Sequence, residues 1–525
     1  MAETADIVIA GAGHNSLISA AYLARAGYSC IIVDGRDIPG GGAATEELLM
    51  PGLGIDSCST GHTLIRVNPL IKDDELGLVS KYGLEYIDPD PVGHVTMPDG
   101  NYLTMWLDKD RTIEEFARYS AADAKAYARM YDEYDAVKDI FGQGRFRPLG
   151  HGPGVGELLA GHPREATWRR RMVMTAWDVI NREFENRHVR SFMLWMTFQT
   201  LVALDRPGTG TLAYSLIYGR QKNSWSIPKG GSGRLVDALV GYLEDHGALI
   251  HCGKTVTELI LENGRCVGFE TDDGTQYRAK KAVLSTIHIK HLVDMAPGEA
   301  WGEDFLYGAD TYDVGISGYA AYLATKAAPV FTTDDGGRNA VSSGIAGWPE
   351  DMLRAIRDMA DGVFFEDVPF LLVATPTLVD QSRSLDGLHT VKLLSAQTYQ
   401  LPAGRNWETE KEVVADRFLR TTQAFAPNFT DDQIVGRLVK SPDDIEAMNP
   451  HMIRGAFHGG DRSIANSATL RPVPGWAQHR MPIDGLYQTG GTTHPGGSIT
   501  GAPGRNAAMI MLEDLGRDPG EVMLM

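Results

Sequence analysis

Residues 6–34 decide the fold: Asp6-Ile-Val-Ile-Ala10, then Gly11-Ala-Gly13-His14-Asn15-Ser16, and, after a helical run, Cys30-Ile-Ile-Val33 closed by Asp34. The two short apolar runs read as buried strands, and Leu17, Ala20, Ala21, Leu23 and Ala24 recur between them at helical spacing. Gly27 stands where a helix C-cap is wanted. Strand, glycine turn, helix, strand and terminal acid make up the βαβ unit of a dinucleotide site. Gly11 permits the tight turn, and Gly13 lets the backbone approach a pyrophosphate that the positive end of the helix attracts. Asp34, about 20 residues past the turn, is placed to accept hydrogen bonds from ribose hydroxyls. Ser16 occupies the place of the third fingerprint glycine and is small enough to keep helix and strand close.

Working outward, Gly40-Gly41-Gly42-Ala43-Ala44 forms a second glycine-rich loop just after the acid. A nicotinamide dehydrogenase has no need of that loop, whereas a flavoprotein runs it beside the pyrophosphate and ribityl chain, so the cofactor read here is FAD. Ile227-Pro-Lys-Gly230-Gly231-Ser-Gly233 then opens a helix to His246, and strand patterns at 247–250, 256–262, 266–270 and 281–285 return the chain to the cofactor region. Because Pro228 ends the run before these glycines, they do not make a second nucleotide fingerprint. Near the C-terminus a short strand at 485–489 leads through a glycine-dense loop, 490–506, into an Ala/Met-rich helix. That helix is expected to aim its dipole at a flavin pyrimidine.

The expected architecture is α/β, a Rossmann-type FAD-binding domain with a discontinuous α+β substrate domain. Segments 1–70, 225–300 and 451–525 are assigned to the former, 71–224 and 301–450 to the latter. Strand patterns at 92–97 and 102–107 and helical patterns at 121–140 and 169–199 occupy the first substrate segment. Within the last of these, Trp177, Phe184, Phe192, Met193, Trp195, Met196 and Phe198 read as plain core in preference to a tunnel lining.

Composition excludes several classes. The net charge of -19, with no Lys/Arg-rich run, opposes nucleic acid. No apolar run reaches membrane-spanning length. With no signal-peptide pattern at residues 1–5, a cytoplasmic location is expected, with peripheral membrane contact and oligomeric state left open. Cys30, Cys58, Cys252 and Cys266 are dispersed without a C-x-x-C pair, which argues against a dithiol centre, and no metal site is expected.

Three sets of residues together resemble the phytoene desaturase-like flavoproteins, a group that includes carotenoid desaturases, retinol saturases and pyridine nucleotide-disulfide oxidoreductase domain-containing protein 2. They are Gly11-Ala-Gly13-His14-Asn15 with Asp34 and the 40–43 loop; Pro228-Lys-Gly230-Gly231 with Leu235; and the run from His494 to Ala507. The resemblance implies that Gly11, Gly13 and Asp34, with His14, Asn15 and Gly35 beside them, hold the adenosine half of FAD. It further implies that Gly41, Gly42 and Ala43 pass close to the diphosphate and flavin, that Val256 flanks the adenine, and that Gly491 and Gly501 lie near the isoalloxazine. Ser16 for glycine and Asp34 where glutamate is commoner are its departures.

The activity expected is hydride transfer between a C–H bond of a hydrophobic small molecule, with isoprenoids and polyenes as candidates, and flavin N5. Oxygen, a quinone or another carrier would accept the electrons. A flavin amine oxidase and a non-catalytic carrier of hydrophobic ligands are the alternatives. His62 and His494, in loops expected to face the flavin, are the candidate catalytic residues, each weighed against a loop-shaping role; Arg66, Tyr322 and Arg505 are weaker.

Overall fold

The computed structural model describes residues 2–331, 340–364 and 367–523. Two mixed sheets organise them. In the first, the order is Val256–Glu262, Arg265–Thr271, Gln276–Ser285, Ala2–Ala10, Cys30–Val33 and Leu249–His251, and Leu486–Gln488 pairs with the end of Gln276–Ser285. Four of these strands and the short C-terminal one run parallel, while Val256–Thr271 adds an antiparallel hairpin at one edge. Ile7 and Ile9 pack on one face with Leu17, Leu235, Leu239 and Met511; Val8 and Ala10 pack on the other with Ile289, Trp301 and Phe305. A parallel strand covered on both faces must be apolar at every position, which is why 7–10 does not alternate.

The second sheet runs Ile434–Lys440, Gly318–Thr325, His389–Ala396, Phe370–Ala374, Ser342–Ala346, Gly93–Thr96 and Tyr102–Met105. On one face Tyr319, Leu323, Leu371 and Leu393 bury against Val414 and Phe418 of the helix Trp407–Phe425. The pleat sends their neighbours Leu372, Lys392 and Leu394 to the opposite face.

The helical stretch expected at 169–199 is broken into Glu165–Val173, Ala176–Glu183 and Arg187–Phe198. The breaks come from capping: Thr175 Oγ1 accepts from the Asp178 N–H at 2.9 Å and Asn186 Oδ1 from the His188 N–H at 2.9 Å, so each polar side chain starts a new helix. The Met and aromatic residues named above lie in the large core cluster or pack against it, as the core reading expects.

A buried ion pair joins the short hairpin of Thr45–Glu46 and Ile55–Asp56 to the turn before His389–Ala396. Asp56 Oδ2 meets Arg383 Nη1 at 2.8 Å, both side chains about 1% exposed, and Arg383 Nε reaches Asp380 at 3.1 Å. Asp56 Oδ1 accepts from the Ser232 N–H at 2.8 Å and from Thr45 Oγ1 at 2.7 Å, while Asp380 accepts from the Gly230 N–H at 2.7 Å. In the cluster at 230–233 the N–H groups of Gly230, Ser232 and Gly233 are therefore taken by side chains of this protein, and that of Gly231 by the Pro228 carbonyl. Burial alone would raise the Asp56 carboxyl, but Arg383, Lys392 and the Ser232 N–H outweigh it and hold it below the usual carboxylate range.

Asp56→Ala takes from the buried Arg383 the carboxylate at its Nη1, leaving Asp380 at Nε, and is expected to cost about 3 kcal/mol in urea unfolding. Since the folded-state pKa of Asp56 is depressed, its contribution is present above the unfolded pKa of about 4 and is lost as pH falls through the folded value. The stability gap between wild type and Asp56→Asn should accordingly close only in strong acid, as read from unfolding curves run from pH 7 downward.

Candidate functional site

The parallel strands bring their carboxyl ends to one edge. Ala10 pairs with Val33 and with Ser285, and Ser285 with Gln488. Beyond each strand end the chain becomes cavity wall: Gly11 and Gly13, Asp34 and Gly35, Thr286 to His288, Gly490 and Gly491. This is where an open α/β sheet binds its ligand. The cavity, about 1320 Å³, extends from that edge to Leu372, Lys392 and Leu394 of the second sheet.

At the first turn Gly11 has φ +98°, and a Cβ there would lie 2.3 Å from Thr286 Oγ1, so only glycine fits. A Cβ on Gly13 would meet no protein atom within 4 Å, because that position opens onto the cavity. The helix His14–Arg25 begins there with no side-chain cap and no acid in its first turn. An uncapped N-terminus at a cavity wall is an anion site in waiting. Ser16 Oγ donates within the turn, 2.5 Å from the Gly11 carbonyl and 2.9 Å from that of Gly13, so the serine stitches the loop that a third glycine would only make room for. Asp34 braces the same turn: its carboxylate accepts from the Ala12 N–H at 2.6 Å and the Arg36 N–H at 2.8 Å. Burial nonetheless raises its pKa. Each oxygen retains a lone pair for a hydroxyl donor. His14 is pushed down to about 4 by burial and is neutral.

The structure thus brings Gly11, Gly13, His14, Asn15, Asp34, Gly35, Gly41, Gly42, Val256 and Gly491 to one wall. Ala43 and Gly501 are not on it. Ala43 is buried behind the loop, its N–H on the Gly40 carbonyl, and Gly501 caps the helix Ala502–Asp514 against Asn68 and Ile18. That helix spends its first-turn Gly504 N–H on Asn15 Oδ1 at 3.3 Å, and a Cβ on Gly504 would lie 2.3 Å from the Asn15 carbonyl oxygen. Its N-terminus locks onto the first helix, and the cavity takes the preceding residues Gly497 to Ile499.

His62 and His494 also lie off the wall. His62 is fully buried, with Nε2 2.6 Å from Ser232 Oγ, and burial lowers its pKa to about 3. His494 Nε2 donates to the Gly144 carbonyl at 2.8 Å, and burial takes its pKa to about 4.

Other residues on the wall escape sequence reading. Lys392 projects from the second sheet and donates to the Cys58 carbonyl at 2.6 Å, Thr60 Oγ1 at 2.8 Å and the Asp56 carbonyl at 3.2 Å. His458, lowered to about 3 by burial, donates Nε2–H to the Thr200 carbonyl. Gln199, Arg220, Trp225 and Phe457 complete this part. Lys392 carries a sequence signal as a charge inside the apolar run Val391-Lys-Leu-Leu394, since a charge there needs a polar cavity or a partner.

The profile of the NAD(P)-binding Rossmann-like domain matches residues 9–73. Pyridine nucleotide-disulfide oxidoreductase domain-containing protein 2 of Mus musculus is 28% identical over 97% of this chain and 94% of its own length. The lycopene-forming phytoene desaturase of Pantoea ananas is 24% identical over 97% and 99%, and the hydroxyneurosporene desaturase of Cereibacter sphaeroides 24% over 97% and 98%. Among solved structures, cyclohexylamine oxidase from Brevibacterium oxydans superposes with a TM-score of 0.60 at 16% identity, covering 98% of this chain and 100% of that one, a likeness of fold. The resemblance to the phytoene desaturase-like group therefore holds along the whole chain.

Two glycines two residues apart should respond differently to alanine. Gly11→Ala is expected to lose about 1–3 kcal/mol of stability from its backbone strain, more if Thr286 cannot yield. Gly13→Ala, at an ordinary φ of -67°, should unfold within about 0.5 kcal/mol of wild type when both are compared free of ligand. Thermal unfolding of both variants makes the comparison.

Proposed function

We propose that this chain, related from end to end to the phytoene desaturase-like oxidoreductases, binds FAD and uses it to oxidise or reduce a carbon centre of a largely apolar molecule. The observation that carries the reading is that one cavity joins a Rossmann glycine turn to the face of a second sheet. The fit to FAD rests on three features: the open position at Gly13, the uncapped helix behind it, and the second glycine loop, where Gly41 and Gly42 share the wall with Gly13. When bound, FAD supplies the hydride acceptor or donor.

The protein's own part is binding and placement. Gly13 and the first turn of the helix His14–Arg25 would meet the pyrophosphate, and Asp34 the ribose. Leu201, Leu372, Leu394, Trp225 and Phe457 offer the apolar wall on which a substrate carbon is oriented and from which water is excluded. We assign segments 1–70, 225–300 and 451–525 to the cofactor half and 71–224 and 301–450 to the substrate half. His62 and His494, neutral and engaged off the wall, are read as holding their loops.

Purified protein is expected to carry FAD that acid or heat releases, and Gly13→Glu to carry none, as measured by absorbance of the supernatant. An anaerobic screen of alkenes, polyenes and amines for bleaching of the bound flavin identifies a substrate. With it, His62→Ala and His494→Ala should show altered melting and flavin content but near-normal reduction rate per bound flavin. A fall of about 10²–10⁴-fold with flavin retained would instead make either histidine a proton acceptor.

A further inference from the structure

Arg220, on the helix Leu212–Asn223, is only 5% exposed and forms part of the cavity wall with Gln199, Thr200 and Trp225. Its guanidinium donates to the Met196 carbonyl. Among the described residues no carboxylate lies within ion-pair distance of it. Other buried arginines are spent differently: Arg383 faces Asp56 and Asp380, Arg505 faces Glu75, and Arg471 donates to the carbonyls of Asp461, Asn466 and Gly491. Lys392, the neighbouring cation on the wall, has its three donors occupied by protein oxygens. Burial lowers the Arg220 pKa to about 9, with no acidic neighbour to restore it, and the group remains charged near neutrality.

A buried charge without a counterion is strongly disfavoured, and a guanidinium presents a planar fork of five N–H donors matched to a carboxylate. Around it the wall is apolar, through Leu201, Trp225 and Phe457. We propose that the substrate is an apolar acid whose carboxylate is gripped by Arg220, with its hydrocarbon body along the apolar wall. Arg220 is then a positioning and specificity residue. This rests on the preceding reading of the cavity as the substrate site, and it selects against an amine, whose ammonium would be placed beside an uncompensated cation.

The test uses the purified protein with whatever flavin it carries, and titrates decanoate, 1-decanol and decylamine by calorimetry. Wild type is expected to bind decanoate about tenfold tighter than the alcohol or better, with the amine weakest. Arg220→Gln should bring acid and alcohol together, and Arg220→Lys should retain part of the preference, both with wild-type FAD content. The proposal is overturned if wild type fails to bind decanoate or binds it no better than decanol, if Arg220→Gln keeps the preference, or if that variant loses FAD that wild type holds. The last result would hand the guanidinium to the cofactor. Should Arg220→Gln not fold, the ranking of the three probes on wild type and on Arg220→Lys decides. Wild type without FAD would instead sink the oxidoreductase reading, and leaves the acid-to-alcohol ratio readable on its own.

Discussion

Asp56 and Arg383 form the buried pair on which the segments around the second glycine loop converge. Two fully buried charges gain little over an apolar contact unless every remaining donor and acceptor is satisfied. Here they are satisfied from distant parts of the chain: Thr45 from the second glycine loop, Ser232 from the start of the helix Gly233–Asp245, Asp380 from the loop before the central strand His389–Ala396, and the carbonyl of Pro228. Because each of these contacts is directional, the pair fixes the turn before His389–Ala396 against the hairpin that follows the second glycine loop and against the start of the helix Gly233–Asp245. The cavity is the space left between the two sheets.

The same network explains why two glycine-rich helix starts behave in opposite ways. At 230–233 the N–H groups of Gly230, Ser232 and Gly233 are taken by Asp380, Asp56 and Thr45. At 11–14 no side chain caps the helix, and the glycine beside it opens onto the cavity. A glycine-dense run before a helix shows only that backbone donors converge. Whether they meet a ligand depends on which side chains the tertiary fold delivers, and that information lies more than a hundred residues away in sequence.

This division also marks how far the sequence can be read. The strand-turn-helix-strand unit at 6–34 is legible because its signals are local: apolar runs buried on both faces, glycines at forced positions, an acid at the end of the second strand. In the second sheet the strand patterns read at 92–97 and 102–107 form Gly93–Thr96 and Tyr102–Met105 for the same reason. Hidden is whatever depends on long-range pairing. Arg220 sits among ordinary helical charges and polar residues, and nothing in its neighbours shows that Met196 and Thr200 would fold over it. His62 and His494 stand out in the sequence for their glycine-bearing loops, yet their rings turn to Ser232 and Gly144. Gly501, placed near the flavin by resemblance, stands against Asn68 because the last helix docks on the first through Gly504.

Electrostatics then narrows the chemistry that such a cavity supports. His14, His288, His451 and His458 all border it, and burial lowers the pKa of each, to about 4 for His14 and His451 and about 3 for His458. Around neutral pH these rings are uncharged donors and acceptors, so none stores a proton to deliver. The charged side chains of the wall are Asp34, Arg36, Asp37, Glu46 and Glu47 near the glycine turns, Asp294 beyond Thr286 to His288, and the cations Lys392 and Arg220 toward the second sheet. A site whose buried histidines are held neutral selects by geometry and sign. It works best for a reaction whose main demand is that a carbon be held in place, as the transfer of a hydride requires.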